Sequence, residues 1–351
     1  MADNQKSKKY NVVDLFCGIG GFSKGFQMEG FDIKMGIDNW PVALETFKRN
    51  HNGVDAVLED LVELPDSFYK KIPYKVDVII AGPPCQGFSM AGKREVEDIR
   101  NKLFREVIRA ARILNPEVVI IENVSGILSM KNRDGQLVKD RIISDLESLD
   151  YNVKVQLLIA SDYGVPQNRK RVIFVATKRD NFRYPTPNGF GITAGDALSN
   201  IPDVDQEEYL PPKNEFQKVM GNGFSKIYNH EAMRHNADVL NRIKHVPQGG
   251  NWKDIPPHIY NVGGEHSNNY RRLDPEKPSI TIKHATKSMI ISPYFDRVIT
   301  AREAARLQSF PDDFILEGTK FEQHQQLANA VPPILGREIA KSVKEYLNEE
   351  F

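Results

Sequence analysis

The chain has 351 residues, 40% hydrophobic and 27% charged, a composition typical of a globular protein and unlike that of a fibrous or disordered chain. Lys and Arg together number 47, as do Asp and Glu, so the formal net charge is zero. This balance disfavours binding of anionic polymers through overall charge but leaves a local basic face open. The two cysteines, Cys17 and Cys85, are too few for a zinc module or a disulfide framework. The polar N-terminus and the lack of a long apolar stretch predict a cytoplasmic protein with no membrane partner.

The first half of the chain alternates short apolar runs with amphipathic segments, as strand and helix units do. Predicted strands cover residues 11–16, 31–37, 75–81 and 117–121, and the last two are continuous apolar runs typical of parallel strands covered on both faces. Predicted helices run from the first turn toward Met28, begin at Pro41, and cover 100–114. Residues 151–160 and 171–177 add two strands, expected to form an antiparallel pair at one edge. The pattern predicts an α/β fold with a doubly wound mixed sheet.

The composition changes near residue 181. Residues 184–257 are rich in Pro, Gly and Asn, with a short helical piece predicted at 231–243. Helical periodicity returns at 300–308 and at 335–346. The shift predicts a second, smaller and less regular domain.

The sequence GIGG at residues 18–21 follows the first predicted strand. Such a turn brings backbone N–H groups against a ligand at the carboxyl edge of a sheet. The dinucleotide fingerprint fails because Ser23 stands where its third glycine is needed, and no phosphate-binding P-loop sequence occurs. The turn therefore suits a nucleoside-like ligand without a pyrophosphate, or no ligand at all. Asp38, just past the second strand, is placed to accept hydrogen bonds from ribose hydroxyls.

The sequence GPPCQGFS at residues 82–89 follows the third strand. Its two prolines stiffen the backbone and place Cys85 beyond the strand end, where open α/β sheets present catalytic groups. A thiol needs local help to react as a thiolate, and the alternative is a buried, inert cysteine. The polar segment 89–100 suits a mobile lid.

Glu122 follows the fourth strand, so adjacent parallel strands would bring it within reach of Cys85. A carboxyl group at a desolvated sheet edge can act as an acid; the alternative is a bystander beside an Asn123 that caps a helix. Arg169 and Arg171, two apart in an extended segment, share a face. They could hold a nucleobase, a phosphate or the glutamate, or form a solvated charge cluster.

Five motifs together resemble the DNA cytosine-5 methyltransferases of the bacterial restriction–modification type. They are DLFCGIGG (14–21), GPPCQGFS (82–89), ENV (122–124), QNRKR (167–171) and QLANAVPP (326–333). The resemblance covers the chain from about Val12 to Ile339. It implies the Rossmann-like fold of S-adenosylmethionine-dependent methyltransferases, with a small target-recognition domain.

The resemblance also implies a covalent mechanism in which Cys85 attacks C6 of a flipped-out cytosine. Glu122 would bind or protonate N3, and C5 would take the methyl group of S-adenosylmethionine, leaving S-adenosylhomocysteine. Arg169 and Arg171 match the paired arginines of the family, with Arg171 favoured for contact with the cytosine. No metal is required; His230 and His235 lack the spacing of a helical metal pair.

For the cofactor, the resemblance assigns contacts to the first turn, the ends of the next strands and the last motif. The implied residues are Phe16, Gly18, Gly20, Gly21, Asp38, Trp40, Asp60, Asn329 and Val331. Trp40 is assigned with a departure from the family pattern, because Asn39 stands where a residue that packs on adenine is usual.

Double-stranded DNA would lie between two domains and contact Gln86, Ser89, Lys93, Arg94, Arg271 and Arg272, although each basic residue has the alternative of a solvated surface charge. The implied domains are 1–180 for catalysis and cofactor binding, 181–300 for target recognition, a hinge at 301–322, and 323–351 rejoining the first domain. We expect a monomer and a separately acting cognate endonuclease.

Two alternatives remain at this stage. A tRNA cytosine-5 methyltransferase of the same fold is disfavoured because the Cys-Phe-Thr tripeptide usual in that branch is absent. A catalytically silent DNA-binding regulator would have lost the nucleophile or the glutamate, and both are present.

Overall fold

A computed structural model describes residues 9–84, 96–132, 135–189, 191–260, 269–283 and 288–349, with the backbone alone for 96–102. The strands are β1 (Asn11–Leu15), β2 (Asp32–Asp38), β3 (Asp55–Leu58), β4 (Val78–Ala81), β5 (Val118–Val124), β6 (Asn152–Ile159), β7 (Gln167–Asn168), β8 (Lys170–Thr177) and β9 (Ser279–Ile280). The helices are α1 (Gly21–Met28), α2 (Pro41–Asn50), α3 (Asp66–Lys70), α4 (Val96–Leu114), α5 (Val138–Glu147), α6 (Ala194–Leu198), α7 (Glu215–Gly221), α8 (Ala237–Lys244), α9 (Ala301–Leu307), α10 (Lys320–Asn329) and α11 (Pro333–Asn348).

Seven strands form one mixed sheet in the order β3-β2-β1-β4-β5-β8-β6. The first five are parallel, and β8 runs antiparallel to β5. Because the chain moves outward from β1 in one direction and resumes at β4 on its other side, the order reverses between these two strands. Such a switch point opens a crevice at the carboxyl ends of the strands. The predicted doubly wound mixed sheet is confirmed.

The described core on one face of this sheet is apolar and continuous. Val13, Leu15, Ile79 and Ala81 on the central strands are fully buried in it. The helices contribute Val107 and Ala111 of α4, and Ile142 and Leu146 of α5. Burial of this kind, at about 25 cal/mol per Å² of apolar surface, is what holds the strand ends in place.

Two of the differences from the sequence prediction have a local explanation. β3 was not predicted, because its four residues are only half-buried or exposed and show no apolar run. The helix expected over 231–243 begins only at Ala237. Asn236 caps it, since its side-chain oxygen accepts a hydrogen bond of 2.9 Å from the backbone N–H of Val239.

Contacts divide the chain into two compact units. Unit 1 comprises Met1–Leu158, Lys170–Thr186 and Gly336–Phe351, and unit 2 comprises Ile159–Arg169 and Pro187–Leu335. The division rests on contacts alone, so the functional assignment of 181–300 to target recognition stays a prediction.

Within the described ranges, no helix is both long and apolar enough to cross a bilayer.

Candidate active site

A row of paired residues crosses four parallel strands of unit 1 near their carboxyl ends. It consists of Ile37, Leu15, Ala81 and Ile121 on β2, β1, β4 and β5. The next residues along the chain are Asp38, which ends β2, Phe16 and Gly82, which follow β1 and β4, and Glu122 near the end of β5; we call these four residues the edge row. The register thus brings four positions of the sequence motifs to one level of one sheet edge.

The glycine turn after β1 has an unusual backbone. Phe16 (φ +58°), Gly18 (φ +52°) and Gly20 (φ +81°) all lie in the left-handed region, which costs energy for Phe16 and is free for glycine. The turn is closed by two backbone hydrogen bonds, from the Cys17 N–H to the Ile37 carbonyl (3.0 Å) and from the Gly20 N–H to the Cys17 carbonyl (2.8 Å). A Cβ on Gly18 would have no neighbour within 4 Å, so the turn is open at this position.

Asp38 fastens this turn to β2. Its Oδ2 accepts a hydrogen bond of 2.8 Å from the Gly18 N–H, and its Oδ1 accepts one of 2.9 Å from the Trp40 N–H. Burial raises the pKa of Asp38, and backbone N–H donors, that of Trp40 first, oppose this. Each carboxylate oxygen keeps acceptor capacity for a hydroxyl beyond its backbone donor.

The neighbouring loops supply Trp40 and Asp60. Trp40 is half-buried and precedes α2 as its N-cap, with Pro41 in the first helical turn. Asp60, two residues past β3, accepts hydrogen bonds from the Asn39 side-chain amide (3.2 Å) and the Val62 N–H (2.9 Å). The residue that departs from the family pattern, Asn39, is thus bound to Asp60.

Glu122 pairs with Arg171. The Glu122 Oε1 lies 2.6 Å from the Arg171 Nε, and the two side chains are 10% and 11% exposed. Arg171 comes from the antiparallel strand β8, opposite Val124, and also donates a hydrogen bond of 2.7 Å to the Lys170 carbonyl. Of the alternatives for Arg171 from the sequence, the structure shows contact with the glutamate.

Asn123 connects this strand end to the β4 loop. Its Nδ2 donates a hydrogen bond of 3.0 Å to the Pro83 carbonyl, and its Oδ1 accepts one of 2.9 Å from the Val124 N–H. A Cβ on Gly82 would lie 4.0 Å from the Glu122 Oε2, so the β4 loop passes beside the carboxylate. Cys85 lies outside the described residues, as do Gln86, Ser89, Lys93 and Arg94.

Arg169, Asn329 and Val331 belong to unit 2. Arg169 is only 1% exposed and donates hydrogen bonds to the carbonyls of Ile282 (3.3 Å) and Ala328 (3.0 Å). Asn329 is the last residue of α10, where its Oδ1 accepts a hydrogen bond from the Gln325 side chain (2.9 Å), and Val331 is buried. Arg169 therefore holds the segment just before Asn329.

The two described arginines among the candidate DNA contacts differ. Arg271 is half-buried, whereas Arg272 is 6% exposed. The Arg272 guanidinium makes five hydrogen bonds within unit 2. It donates to the carbonyls of Ile243, Val246, Ser292 and Phe295 and to the Asp296 carboxylate. We therefore do not retain Arg272 among the proposed DNA contacts.

Two buried polar groups beside the glycine turn were not predicted. Asp14 on β1 is 1% exposed and accepts a hydrogen bond of 2.6 Å from the Ser23 hydroxyl. His51, directly after α2, is equally buried. A charged residue inside the apolar run of β1 was the available signal for Asp14, whereas no pattern in the sequence marks His51.

His230 is held by the Thr300 hydroxyl and the Pro202 carbonyl, both 2.9 Å away, and burial lowers its pKa. Across the part of the chain that the structure describes, no group of three or more His, Cys, Asp or Glu side chains could hold a metal ion.

The family model for the C-5 cytosine-specific DNA methylases matches residues 10–345 of this chain. The chain belongs to this family. The family is S-adenosylmethionine-dependent, and the predicted enzyme class, DNA (cytosine-5-)-methyltransferase, is confirmed.

Similar proteins agree with this assignment. The Type II methyltransferase M.DdeI of Desulfomicrobium norvegicum is 36% identical over 96% of this chain and 89% of its own length. M1.HphI of Haemophilus parahaemolyticus, also a Type II methyltransferase, is 36% identical over 94% of this chain and 86% of its own length. A crystal structure of a DNA modification methyltransferase encoded within an E. coli prophage has a TM-score of 0.78 and 29% identity, and the match covers 97% of this chain and 100% of that one. These similarities support the restriction–modification class.

Proposed function

We propose that this methyltransferase modifies C5 of a cytosine within a specific sequence of double-stranded DNA, through a covalent bond between the Cys85 Sγ and C6 of the base. The observation that carries the proposal is the edge row of unit 1. Glu122, paired with Arg171, lies beside Gly82, which precedes Cys85 by three residues in the sequence, and the same row contains Phe16 and Asp38. A nucleophile, an acid and a cofactor turn at one sheet edge are what this chemistry needs.

Cys85 and Glu122 carry out separate parts of the reaction. The Cys85 thiolate forms a bond to C6, and the electron pair displaced from the C5–C6 double bond is stabilised as Glu122 holds or gives a proton at N3. This makes C5 nucleophilic. After C5 has been methylated, the C5 proton leaves to a base, the Sγ–C6 bond breaks, and the thiolate and the aromatic base are restored. Splitting the substitution in this way lowers its barrier.

Arg171 has two roles in this mechanism, one toward Glu122 and one toward the cytosine. It fixes the orientation of the Glu122 carboxyl through the 2.6 Å contact, and its remaining guanidinium donors are available to the O2 atom of the cytosine. Because the pair is about nine-tenths buried, its electrostatic effect on the base is stronger than it would be in water.

The described residues around the glycine turn fit S-adenosylmethionine. The open space at Gly18 and the adjoining Gly20 and Gly21 would receive the methionine part, and Asp38, whose carboxylate is held by the Gly18 N–H, would accept hydrogen bonds from the ribose hydroxyls. Asp60 and Trp40 are assigned to the adenine, and Asn329 and Val331 to the same ligand. When bound, the cofactor supplies the electrophilic methyl group that C5 takes.

The target base has to leave the helix, because C6 is not accessible in the duplex, and unstacking costs a few kcal/mol. Gln86 and Ser89 are proposed near the vacated position, and Lys93, Arg94 and Arg271 at phosphates. Residues 181–300 are proposed to read the sequence, with the protein acting as a monomer and a cognate endonuclease acting separately.

The test is bisulfite sequencing of unmethylated plasmid incubated with the protein and S-adenosylmethionine, with Cys85→Ser in parallel. We expect protected cytosines confined to one short motif with the wild type and none with the variant, which should still bind the cofactor. Full protection with Cys85→Ser would exclude the covalent mechanism. Absence of protection with a wild-type protein that binds the cofactor would favour the tRNA substrate or the silent regulator.

A further inference from the structure

His51 lies buried beneath the glycine turn, at the C-terminal end of α2. Its ring stacks on Phe47 with centroids 4.3 Å apart and planes 27° apart. Its Nδ1 lies 2.9 Å from the side-chain Oε1 of Gln27 on α1. Contacts to both α2 and α1 therefore fix the plane and the rotation of the imidazole.

The imidazole presses against the backbone of Gly20. A Cβ built on Gly20 would collide with the His51 Nε2 and would come within 2.7 Å of the Phe47 ring. The ring thus fills the space that a side chain would occupy. Because Gly20 has φ +81°, it needs a glycine for conformation as well as for space.

Gly20 is also the N-cap of α1, and no side chain caps this helix end. The orientation of the first turn of α1 is therefore not set by a cap of its own, as it is at α9, where Thr300 and Glu303 form a capping box. The packing of His51 against Gly20 supplies a contact that defines the orientation of the backbone at the start of α1.

The imidazole is uncharged. Burial, with the Lys24 ammonium as the next contribution, lowers the pKa of His51 to about 3. A neutral ring holds the turn without placing a positive charge beneath a ligand that carries a sulfonium cation. This charge state makes His51 compatible with a cofactor site directly above it.

We propose that His51 is a positioning residue for S-adenosylmethionine, since its imidazole, held by Gln27 and Phe47, fixes Gly20 in the conformation that the cofactor binds. The inference rests on the proposed function, in which the glycine turn binds this cofactor. His51 touches no reacting atom, so its loss affects the affinity for the cofactor and not the chemistry at the cytosine.

The first experiment is calorimetric titration of S-adenosylmethionine into the full chain. We expect His51→Ala to bind the cofactor roughly tenfold more weakly, because the turn loses its preorganisation. His245→Ala is the matched control: His245 also directly follows a helix, α8, but is exposed, and its Nδ1 lies 2.8 Å from the Asn241 carbonyl of its own helix. Ile142→Val, in the core of unit 1, controls for lowered stability. Both controls should bind as the wild type does.

The second experiment is steady-state methylation of DNA containing the site. His51→Ala should raise KM for S-adenosylmethionine by about tenfold while kcat at saturating cofactor changes by less than about twofold. A fall in kcat with an unchanged KM would overturn the positioning role.

A double-mutant cycle with Gly20→Ala tests the contact itself. The added methyl group should weaken cofactor binding less in the His51→Ala background than in the wild type, because its collision with the imidazole is gone and only the contact with the Phe47 ring and the backbone strain remain. Equal effects in both backgrounds would overturn the inference. A wild-type protein that does not bind the cofactor at all would overturn both this inference and the proposed cofactor, whereas normal wild-type binding with unaffected His51→Ala binding would overturn this inference alone.

Discussion

Asp14 has an unusual environment for an acidic residue, because it lies among the buried residues 12–15 of the parallel strand β1. The Ser23 hydroxyl, near the start of α1, donates a hydrogen bond of 2.6 Å to the Asp14 carboxylate. Burial raises the pKa of Asp14 from 3.8 to about 7, Ser23 opposes the shift, and the negative charge of Asp38 adds to it. Asp14 should therefore lower the stability of the fold at neutral pH.

We predict that Asp14→Asn removes a dependence of stability on pH. The unfolded chain releases this proton near pH 3.8 and the folded chain only near pH 7, so the stabilisation is complete below pH 3.8 and is lost as the pH rises through 7. Over this window the wild type should lose about 1.4 kcal/mol per pH unit relative to the variant. Urea unfolding at pH 4.5, 5.5, 6.5 and 7.5 measures the difference.

Asp180→Asn is the control, since Asp180 is a surface residue with 74% of its side chain exposed. The free energy of unfolding of Asp180→Asn should change with pH as that of the wild type does. If the free energies of unfolding of the wild type and of Asp14→Asn change in parallel with pH, Asp14 does not titrate in this window.

At the scale of elements, Asn123 connects β5 to the loop after β4 through a side-chain hydrogen bond. The carboxamide donates to the Pro83 carbonyl at 3.0 Å, and Asn123 is 2% exposed. We predict that Asn123→Asp separates these segments, because a carboxylate oxygen would face the carbonyl oxygen. Methylation should slow by roughly 10- to 100-fold, since small displacements of catalytic groups have large effects on rate.

Asn152→Asp is the matched control for this variant. Asn152 also donates from its side chain to backbone carbonyls, those of Thr177 (3.5 Å) and Lys178 (3.4 Å), but it lies at the start of β6, away from the carboxyl edge. Initial rates at saturating DNA and cofactor compare the two. An Asn123→Asp rate equal to that of Asn152→Asp would contradict the proposed connection.

The strands could be predicted from the sequence because parallel strands covered on both faces are continuous apolar runs, and residues after such runs lie at a known edge. This is why Asp38 and Glu122 could be placed at strand ends before the structure. The environment of Arg272 could not be predicted, because its acceptors lie between residues 243 and 296 and come together only through tertiary packing. The same holds for His51, whose role depends on contact with Gly20.

On the scale of the whole molecule, unit 1 is assembled from three separate segments of the chain. Its last segment, the C-terminal part of α11, is fastened by residues distant in sequence. The Tyr10 hydroxyl donates to the Leu347 carbonyl at 3.1 Å. Arg179, just past β8, donates to the carbonyls of Tyr346 (2.6 Å) and Glu349 (2.7 Å), and its guanidinium lies 4.4 Å from the Tyr346 ring centroid.

We predict that Arg179→Ala destabilises unit 1 by about 1–3 kcal/mol, because three favourable contacts of one charged group are lost and the Tyr346 carbonyl loses its donor. Arg183→Ala, a few residues later and exposed, should change the free energy of unfolding by less than about 0.5 kcal/mol. Urea unfolding of the two variants gives the comparison, and limited proteolysis should cleave the C-terminal segment of Arg179→Ala first.

If the two variants unfold at the same urea concentration, Arg179 does not fasten the helix. If Arg179→Ala is destabilised but its C-terminal segment stays resistant to protease, the segment is held mainly by the apolar face of α11, which buries Ile339, Ala340 and Val343 completely.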